Sequence, residues 1–246
     1  MSGDATSADS IVIEDLLAME QFSEVVRVQE TIWGFSEIDL LPVRFFVVAS
    51  KIGGQVFGAY DAGRMIAFCL AIPGLKPNGK AYLHSHMLGV LPEYRNSGVG
   101  RRLKLHQRDN AMARGIDLIE WTFDPLEIKN AYFNIVRLGA IVRRYVRNQY
   151  GITSSPLTGG LPTDRCIAEW WIRAPRPQVA IVEGIRLPAD IAEIRSNDPD
   201  RARAIQGELA DQFEDAFSRG LAVIGVERDD AYFTYLLGQT RVGEAP

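Results

Sequence analysis

The residues best suited to chemistry in this chain of 246 residues form a glycine turn, Arg95-Asn96-Ser97-Gly98-Val99-Gly100-Arg101. The turn lies between a strand-like run over 82–90 and a helix-like run over 98–114. A helix that begins there leaves its first backbone N–H groups unpaired, and its N-terminus carries about half a unit of positive charge. Because Gly98 and Gly100 lack a Cβ atom, a bulky anion can approach the backbone closely. The segment therefore predicts a diphosphate cradle formed by the main-chain amides of residues 96–101.

Two other phosphate-binding patterns fit this segment less well. A kinase-type P-loop requires Gly-x-x-x-x-Gly followed by Lys-Ser or Lys-Thr, and neither pair follows these glycines. A dinucleotide fingerprint requires a third glycine, but Gly100 is followed by Arg101-Arg102-Leu103. What remains is Arg-x-x-Gly-x-Gly after Leu88-Gly89-Val90-Leu91-Pro92. An ordinary surface turn that carries Gly-x-Gly by chance is the alternative interpretation.

That combination resembles the GNAT superfamily of acyl-CoA-dependent N-acyltransferases, at Val90, Pro92, Arg95, Gly98 and Gly100. The resemblance extends over residues 10–175. It implies an α+β fold in three layers, with a mixed, largely antiparallel central sheet that is splayed at the acyl-CoA site and flanked by helices.

The resemblance also implies which residues hold the acyl-CoA co-substrate. Pantetheine would pair with the free edges of Leu88 and Val90, and a backbone N–H of strand 87–90 would face the thioester carbonyl. Gly89 fits a β-bulge or a strand that a ligand approaches closely, and Asn130 and Asn134 could bind pantetheine. The implied CoA-binding set is Leu88, Gly89, Val90, Arg95, Asn96, Ser97, Gly98, Val99, Gly100, Arg101 and Asn130.

Three segments resemble one bacterial GNAT subfamily more narrowly, namely residues 85–95, 121–126 and 130–134. Its members are encoded near N-acylamino-acid racemases, and some N-succinylate D-amino acids from succinyl-CoA. The resemblance implies acetyl-CoA or succinyl-CoA as the donor and a small-molecule amine, such as an amino acid, as the acceptor. A non-catalytic CoA-binding or sensing module and a protein lysine or N-terminal acetyltransferase are the alternative functions.

Acyl transfer to an amine requires a base, because an alkyl amine with a pKa near 10.4 is almost wholly charged at neutral pH. His86 and Glu120 are the leading catalytic candidates: an imidazole titrates near neutrality, and a carboxylate amid apolar residues has a raised pKa. His84 and Asp124 are weaker candidates. In many GNAT enzymes a tyrosine four residues before the glycine that ends the helix after Asp124 serves as the general acid for the leaving thiolate. Counting back from Gly139, that position is Ile135 here. Tyr132, Tyr145 and Tyr150 are substitutes only in principle.

The composition argues against several other classes of protein. A net charge of −4 argues against nucleic-acid binding, and no apolar run reaches the length of about 20 residues that spans a bilayer. The two cysteines, Cys69 and Cys166, lie in apolar runs without metal-ligand spacing, so we expect buried thiols and no metal. The polar, acidic N-terminus is unlike a signal peptide, and we expect a cytoplasmic protein.

The pattern along the chain predicts three parts: a disordered tail over 1–10, a catalytic domain over 11–175 and an extension over 176–246. We expect the extension to pack on the first domain or on a second subunit, as in a homodimer. Two local expectations are specific. The helix over 98–114 should bury Val99, Leu103, His106, Asn110 and Ala113, with Lys104 and Arg108 solvated. A second helix should begin after Asp124 as its cap and run to Leu138.

Overall fold

The computed structural model describes residues 11–35, 38–151 and 159–240, so the predicted disordered tail lies outside the described residues. The chain divides into two compact units, Met1–Asp117 and Leu118–Pro246. The boundary predicted after residue 175 falls inside the second unit and stays a prediction. Antiparallel strands flanked by helices build both units, which confirms the predicted mixed α+β class.

The first unit is an antiparallel sheet in the order β1-β2-β3-β4 with three helices. Its elements are β1 (Val12–Asp15), α1 (Met19–Trp33), α2 (Val43–Lys51), β2 (Gln55–Asp61), β3 (Arg64–Leu75), β4 (Ala81–Val90), a 3-10 turn (Pro92–Tyr94) and α3 (Val99–Ala113). The turn between β2 and β3 has positive φ at Ala62 and Gly63, as a tight hairpin requires.

Two apolar clusters hold this unit together, one on each face of its sheet. Helices α1 and α2 bury Phe22 and Phe46 against Phe68 and Leu70 of β3. On the other face of the sheet, Leu103 of helix α3 packs in the second cluster with strand residues that include Phe57 and Cys69. Because β3 and β4 are packed on both faces, the strand that precedes the glycine turn is fixed in place by helices on either side.

The second unit is an antiparallel sheet in the order β5-β7-β6-β9-β10-β8. Its elements are β5 (Leu118–Phe123), α4 (Ile128–Tyr132), a π-helical turn (Phe133–Arg137), β6 (Ile141–Val146), β7 (Arg165–Trp171), β8 (Glu183–Pro188), α5 (Ile191–Asn197), α6 (Pro199–Ser218), β9 (Leu221–Arg228) and β10 (Tyr232–Gln239). Strand β9 pairs with β6 at Val142 and Val223, so the C-terminal segment continues the sheet that β5, β7 and β6 begin.

The predicted start of the helix after Asp124 is wrong. The helix begins at Ile128, and the Asp124 carboxylate instead accepts the backbone N–H of Leu126 in a turn (2.8 Å). The same carboxylate forms an ion pair with Arg195 at 3.0 Å, and that residue lies 71 positions later in the chain. That tertiary contact competes with capping and is invisible in the local sequence.

Among the described residues, none of the helices combines the length and apolar character needed to cross a bilayer.

Candidate functional site

The glycine turn is built as the sequence predicts, with left-handed residues that redirect the chain into α3. Asn96 has φ of 65° and Gly98 has φ of 88°, and α3 begins directly after, at Val99. The Ser97 hydroxyl donates to the Tyr94 carbonyl at 2.6 Å, which holds the turn against the preceding 3-10 turn. No side chain caps the start of α3. The first-turn amides, which have no acceptor within the helix, can therefore receive an anion.

Different physical reasons account for glycine at positions 98 and 100 of the turn. Gly98 adopts a backbone conformation that side chains other than glycine strain to reach. A Cβ atom on Gly100 would meet only Val90 Cγ2 at 3.5 Å and Leu88 Cδ2 at 3.8 Å, which are ordinary contacts. Packing within the protein therefore does not demand glycine at position 100, whereas close approach of a ligand would.

The basic residues around the turn divide into exposed and engaged groups. Arg95 and Arg101 are exposed at the turn, and Arg95 Nε also donates to the Val90 carbonyl at 3.5 Å. Arg102 donates to the Ile11 carbonyl at 2.7 Å and so ties α3 to the residue before β1. Arg95 and Arg101 therefore place positive charge beside the cradle, which favours the binding of a diphosphate.

A β-bulge interrupts β4 next to the turn. Leu70 of β3 pairs with Met87, but the next residue, Ala71, pairs with Ser85, so His86 is the extra residue. The bulge was expected at Gly89, and that expectation is wrong, because Gly89 pairs in register with Phe68. The sequence does not show whether the bulge lies at position 86 or at position 89. A bulge requires glycine only when its extra residue has positive φ, and His86 does not have one.

Packing inside the first unit is sufficient to account for glycine at position 89. A Cβ atom there would lie 2.7 Å from Ile32 Cδ1, 2.8 Å from Phe68 Cε1 and 2.9 Å from an atom of the Trp33 ring. Helix α1 therefore approaches β4 too closely for a side chain. The assignment of Gly89 to the CoA-binding set stays a prediction.

We expect Gly89→Ala to lower the free energy of unfolding by about 1–3 kcal/mol, because the added methyl group overpacks the contact with α1. Urea denaturation followed by circular dichroism measures the change. Gly207→Ala in α6 is the matched control: a Cβ atom there meets open space, and alanine should stabilise the helix by up to about 1 kcal/mol. Equal stability of Gly89→Ala and wild type would contradict the packing explanation.

The two histidines of β4 form a pair beside α2. The ring centroids of His84 and His86 are 5.9 Å apart, and the Phe45 ring lies 6.3 Å from His86. Burial lowers the pKa of His84 to about 4, with smaller effects from His86 and Lys104. Burial also lowers the pKa of His86, although part of its side chain reaches solvent. Both imidazoles are therefore neutral at pH 7, which is the form that accepts a proton.

Lys104 was expected to be solvated, and the structure buries it, with only 2% of its surface exposed. Its ammonium donates to Ser85 Oγ at 3.0 Å and to Gln107 Oε1 at 2.5 Å. Burial lowers the pKa of Lys104 to about 8. The α3 residues that are buried are Val99, Leu103, Lys104, Gln107 and Ala111. Hydropathy missed this face because two of its members are polar.

Of the other residues predicted on this face of α3, His106 and Asn110 are partly buried and Ala113 is exposed. Asn110 accepts a hydrogen bond from Gln55 Nε2 at 2.9 Å. His106 packs edge-on against Phe57, with ring centroids 4.6 Å apart. His106 and Asn110 therefore have structural contacts that account for their positions.

In the second unit, Glu120 does not lie amid apolar residues, contrary to expectation. It is 4% exposed and faces Glu169 across β5 and β7. Arg144 pairs with Glu120 and also lies 3.4 Å from Glu169, and Arg143 bridges Glu169 at 2.5 Å. Arg144 therefore engages one carboxylate oxygen of Glu120.

The tyrosines considered as acids also have structural contacts. Tyr145 donates to Asp164 at 2.8 Å, and burial together with that carboxylate raises its pKa. The Tyr150 and Thr122 hydroxyls are 2.8 Å apart, and Tyr132 is exposed. Ile135, where the family pattern places tyrosine, is fully buried.

The predicted pantetheine ligand Asn130 is exposed on α4 and leads into the π-helical turn. Its Oδ1 accepts from Asn134 Nδ2 at 3.3 Å. Asn134 is buried, and its carbonyl accepts the backbone N–H of Ala140 at 3.0 Å. Asn134 therefore has a structural role, and the assignment of the exposed Asn130 to pantetheine stays a prediction.

Both cysteines are buried and free, as predicted, and burial raises the pKa of each thiol. Within residues 11–35, 38–151 and 159–240, no group of three or more histidine, cysteine, aspartate or glutamate side chains is placed to hold a metal ion.

Comparisons with known proteins agree with this geometry. Residues 22–133 match the family described as Acetyltransferase (GNAT) family. The ribosomal-protein-S18-alanine N-acetyltransferase from Escherichia coli has a similar structure, with a TM-score of 0.52, 18% identity, and coverage of 69% of this chain and 99% of that one. An acetyltransferase of the GNAT family from Streptococcus pneumoniae gives a TM-score of 0.52 at 14% identity and covers 65% of this chain and 98% of that one.

The NatC complex bound to Gag peptide and CoA is also similar, with a TM-score of 0.51 and 16% identity over 65% of this chain and 97% of that one. At these identities the likeness establishes the fold, which is the mixed α+β GNAT fold. No curated protein matches the sequence.

Proposed function

We propose that this chain, whose residues 22–133 match the GNAT acetyltransferase family, moves an acetyl or succinyl group from CoA to the amine of a small molecule. The uncapped start of α3 behind Gly98 and Gly100 carries the proposal, because it offers unpaired amides at a helix N-terminus beside exposed arginines. Residues 95–101 would hold the diphosphate of CoA. Pantetheine would run along the backbone of Leu88 and Val90, at the end of β4 that leads into the glycine turn.

We assign the general base to His86 in preference to Glu120. The His86 imidazole is neutral at pH 7 and reaches solvent in the bulge of β4. Glu120 is engaged by Arg144. Deprotonating an alkyl amine at neutral pH costs about 4–5 kcal/mol, and a positioned base can offset part of that cost.

The proposed reaction is direct attack on the thioester. The substrate ammonium gives one proton to His86, the neutral nitrogen then forms a bond to the carbonyl carbon, and the carbon–sulfur bond breaks to release the CoA thiolate. The second proton leaves the acylated nitrogen and ends on the thiolate, through solvent, to give the free CoA thiol. A backbone N–H of β4 would donate to the carbonyl oxygen as negative charge develops there, an interaction worth about 3–4 kcal/mol in comparable sites. The products are an amide and free CoA.

The acceptor class follows from the narrower subfamily resemblance, which favours an amino acid with succinyl-CoA as a donor beside acetyl-CoA. The test is release of free thiol from each donor across a panel of amines that includes D-amino acids. Turnover with an amino acid supports the proposal, and no release above the amine-free background with any pair contradicts it.

Two further measurements separate the alternatives. Tight binding of CoA by calorimetry without turnover would instead indicate a binding or sensing module. Acyl mass shifts on lysate proteins, without turnover of small amines, would indicate a protein acetyltransferase.

A further inference from the structure

Lys104 is a buried charged residue that the proposed reaction does not use. Its contacts are with Ser85 Oγ and Gln107 Oε1, at 3.0 and 2.5 Å. Gln107 in turn donates to Cys69 Sγ at 3.2 Å. An ammonium group loses much of its hydration in such surroundings, and hydrogen bonds from it to neutral acceptors are stronger than those between neutral groups. Lys104 therefore holds its acceptors firmly.

The contact with Ser85 joins two parts of the candidate site. Lys104 lies in the second turn of α3, whose first turn forms the cradle. Ser85 directly precedes His86, the extra residue of the β4 bulge. The hydrogen-bond ladder between strands is locally disrupted at a bulge, so a side-chain contact at its edge adds restraint where the ladder supplies least.

We propose that Lys104 is a positioning residue which, through Ser85, fixes the β4 bulge and so sets how His86 lies relative to the cradle helix. The inference rests on the proposed function in that His86 is the base. The link itself, from α3 through Lys104 to the bulge, is a property of the fold and can be tested without turnover.

Two titratable groups that interact electrostatically with Lys104 lie on neighbouring strands. Cys69 lies on β3, and its thiolate form would favour the charged lysine. His84 lies on β4, and the Lys104 charge disfavours its protonation. Removing the ammonium should therefore remove the part of the His84 pKa shift that comes from the Lys104 charge and raise that pKa. The chain has only three histidines, so each imidazole can be followed separately by NMR.

The experiment compares the full-length chain with Lys104→Met, Ser85→Ala and the double variant, with exposed Lys80→Met as the matched control. We expect amide hydrogen exchange at His86 and Met87 to be at least about tenfold faster in both single variants. Because both changes remove the same Lys104–Ser85 hydrogen bond, the double variant should exchange no faster than Lys104→Met alone. The kcat should fall at least about tenfold while the Kd for CoA stays within about twofold, since the cradle amides are intact.

Several outcomes would overturn the proposal. Unchanged exchange at His86 and Met87 in the single variants would show that the contact does not hold the bulge. Fully additive effects would show that the two residues act separately. Loss of CoA binding in Lys104→Met would place the lysine in the cradle instead. Should Lys104→Met not fold, Ser85→Ala removes one oxygen atom from the same contact and decides the question alone.

Failure of the proposed function has a different signature. A wild-type chain that turns over no amine contradicts the acyltransferase assignment, while the exchange rates and the His84 titration still decide the role of Lys104.

Discussion

A Gly100→Glu chain will bind CoA at least about a hundredfold more weakly than the wild type, a loss of about 3 kcal/mol, and will unfold at no lower temperature. The affinity falls because the new carboxylate lies in the first turn of α3, where the diphosphate is proposed to bind, and repels it. Stability is kept because the Cβ atom meets only ordinary contacts. A glutamate is also a better helix former than glycine and interacts favourably with the helix N-terminus.

Titration calorimetry with CoA and thermal unfolding measure the two effects. Gly207→Glu in α6 is the matched control, because it adds the same side chain to a helix in open space and should leave the Kd for CoA unchanged. Undiminished CoA binding by Gly100→Glu would contradict the location of the cradle. A decrease in melting temperature would contradict the account of the space around Gly100.

His86→Ala will lower kcat/KM for acyl transfer by at least about a hundredfold at pH 7, the usual contribution of a positioned general base. The Kd for CoA should not change. In the wild type, burial lowers the pKa of His86 from 6.5, so the imidazole stays neutral further into the acid range. The acid limb of the kcat/KM profile should therefore have its midpoint below 6.5, and it should be lost in His86→Ala.

His106→Ala and Glu120→Gln are the comparisons for that prediction. His106 lies against Phe57, and its loss should leave the rate near that of the wild type. If Glu120→Gln abolishes the rate and His86→Ala does not, the base has been assigned to the wrong residue. If both variants retain full rates, neither side chain is the base.

The sequence predicts the cradle well because its signal is local. A strand, two glycines and a helix specify the turn through backbone conformation alone, and Asn96 and Gly98 adopt the positive φ values that such a turn needs. The hairpin turn at Ala62 and Gly63 is equally local. The match of residues 22–133 to the GNAT family covers the same segment.

The features that the sequence missed depend on contacts between distant residues. The bulge at His86 follows from the register with β3, and the close packing of Gly89 follows from the position of α1. Lys104 is buried because Ser85, 19 positions away along the chain, accepts its hydrogen bond. Glu120 faces Glu169 and Arg144 because β5 and β6 flank β7. A hydropathy pattern treats a charged side chain such as Lys104 as a surface residue, and it does not show which charged partners surround Glu120.

The enclosure of both sulfhydryl groups has a practical consequence for enzymology on this chain. Disulfide-exchange dyes react with thiolate at the protein surface, and Cys69 and Cys166 offer neither access nor ready ionisation. The native protein should be silent toward such dyes, so colour development in a continuous assay would report coenzyme liberated by catalysis. Denaturant would expose both thiols, so the colour that then develops should equal two equivalents of thiol per chain and would calibrate the assay.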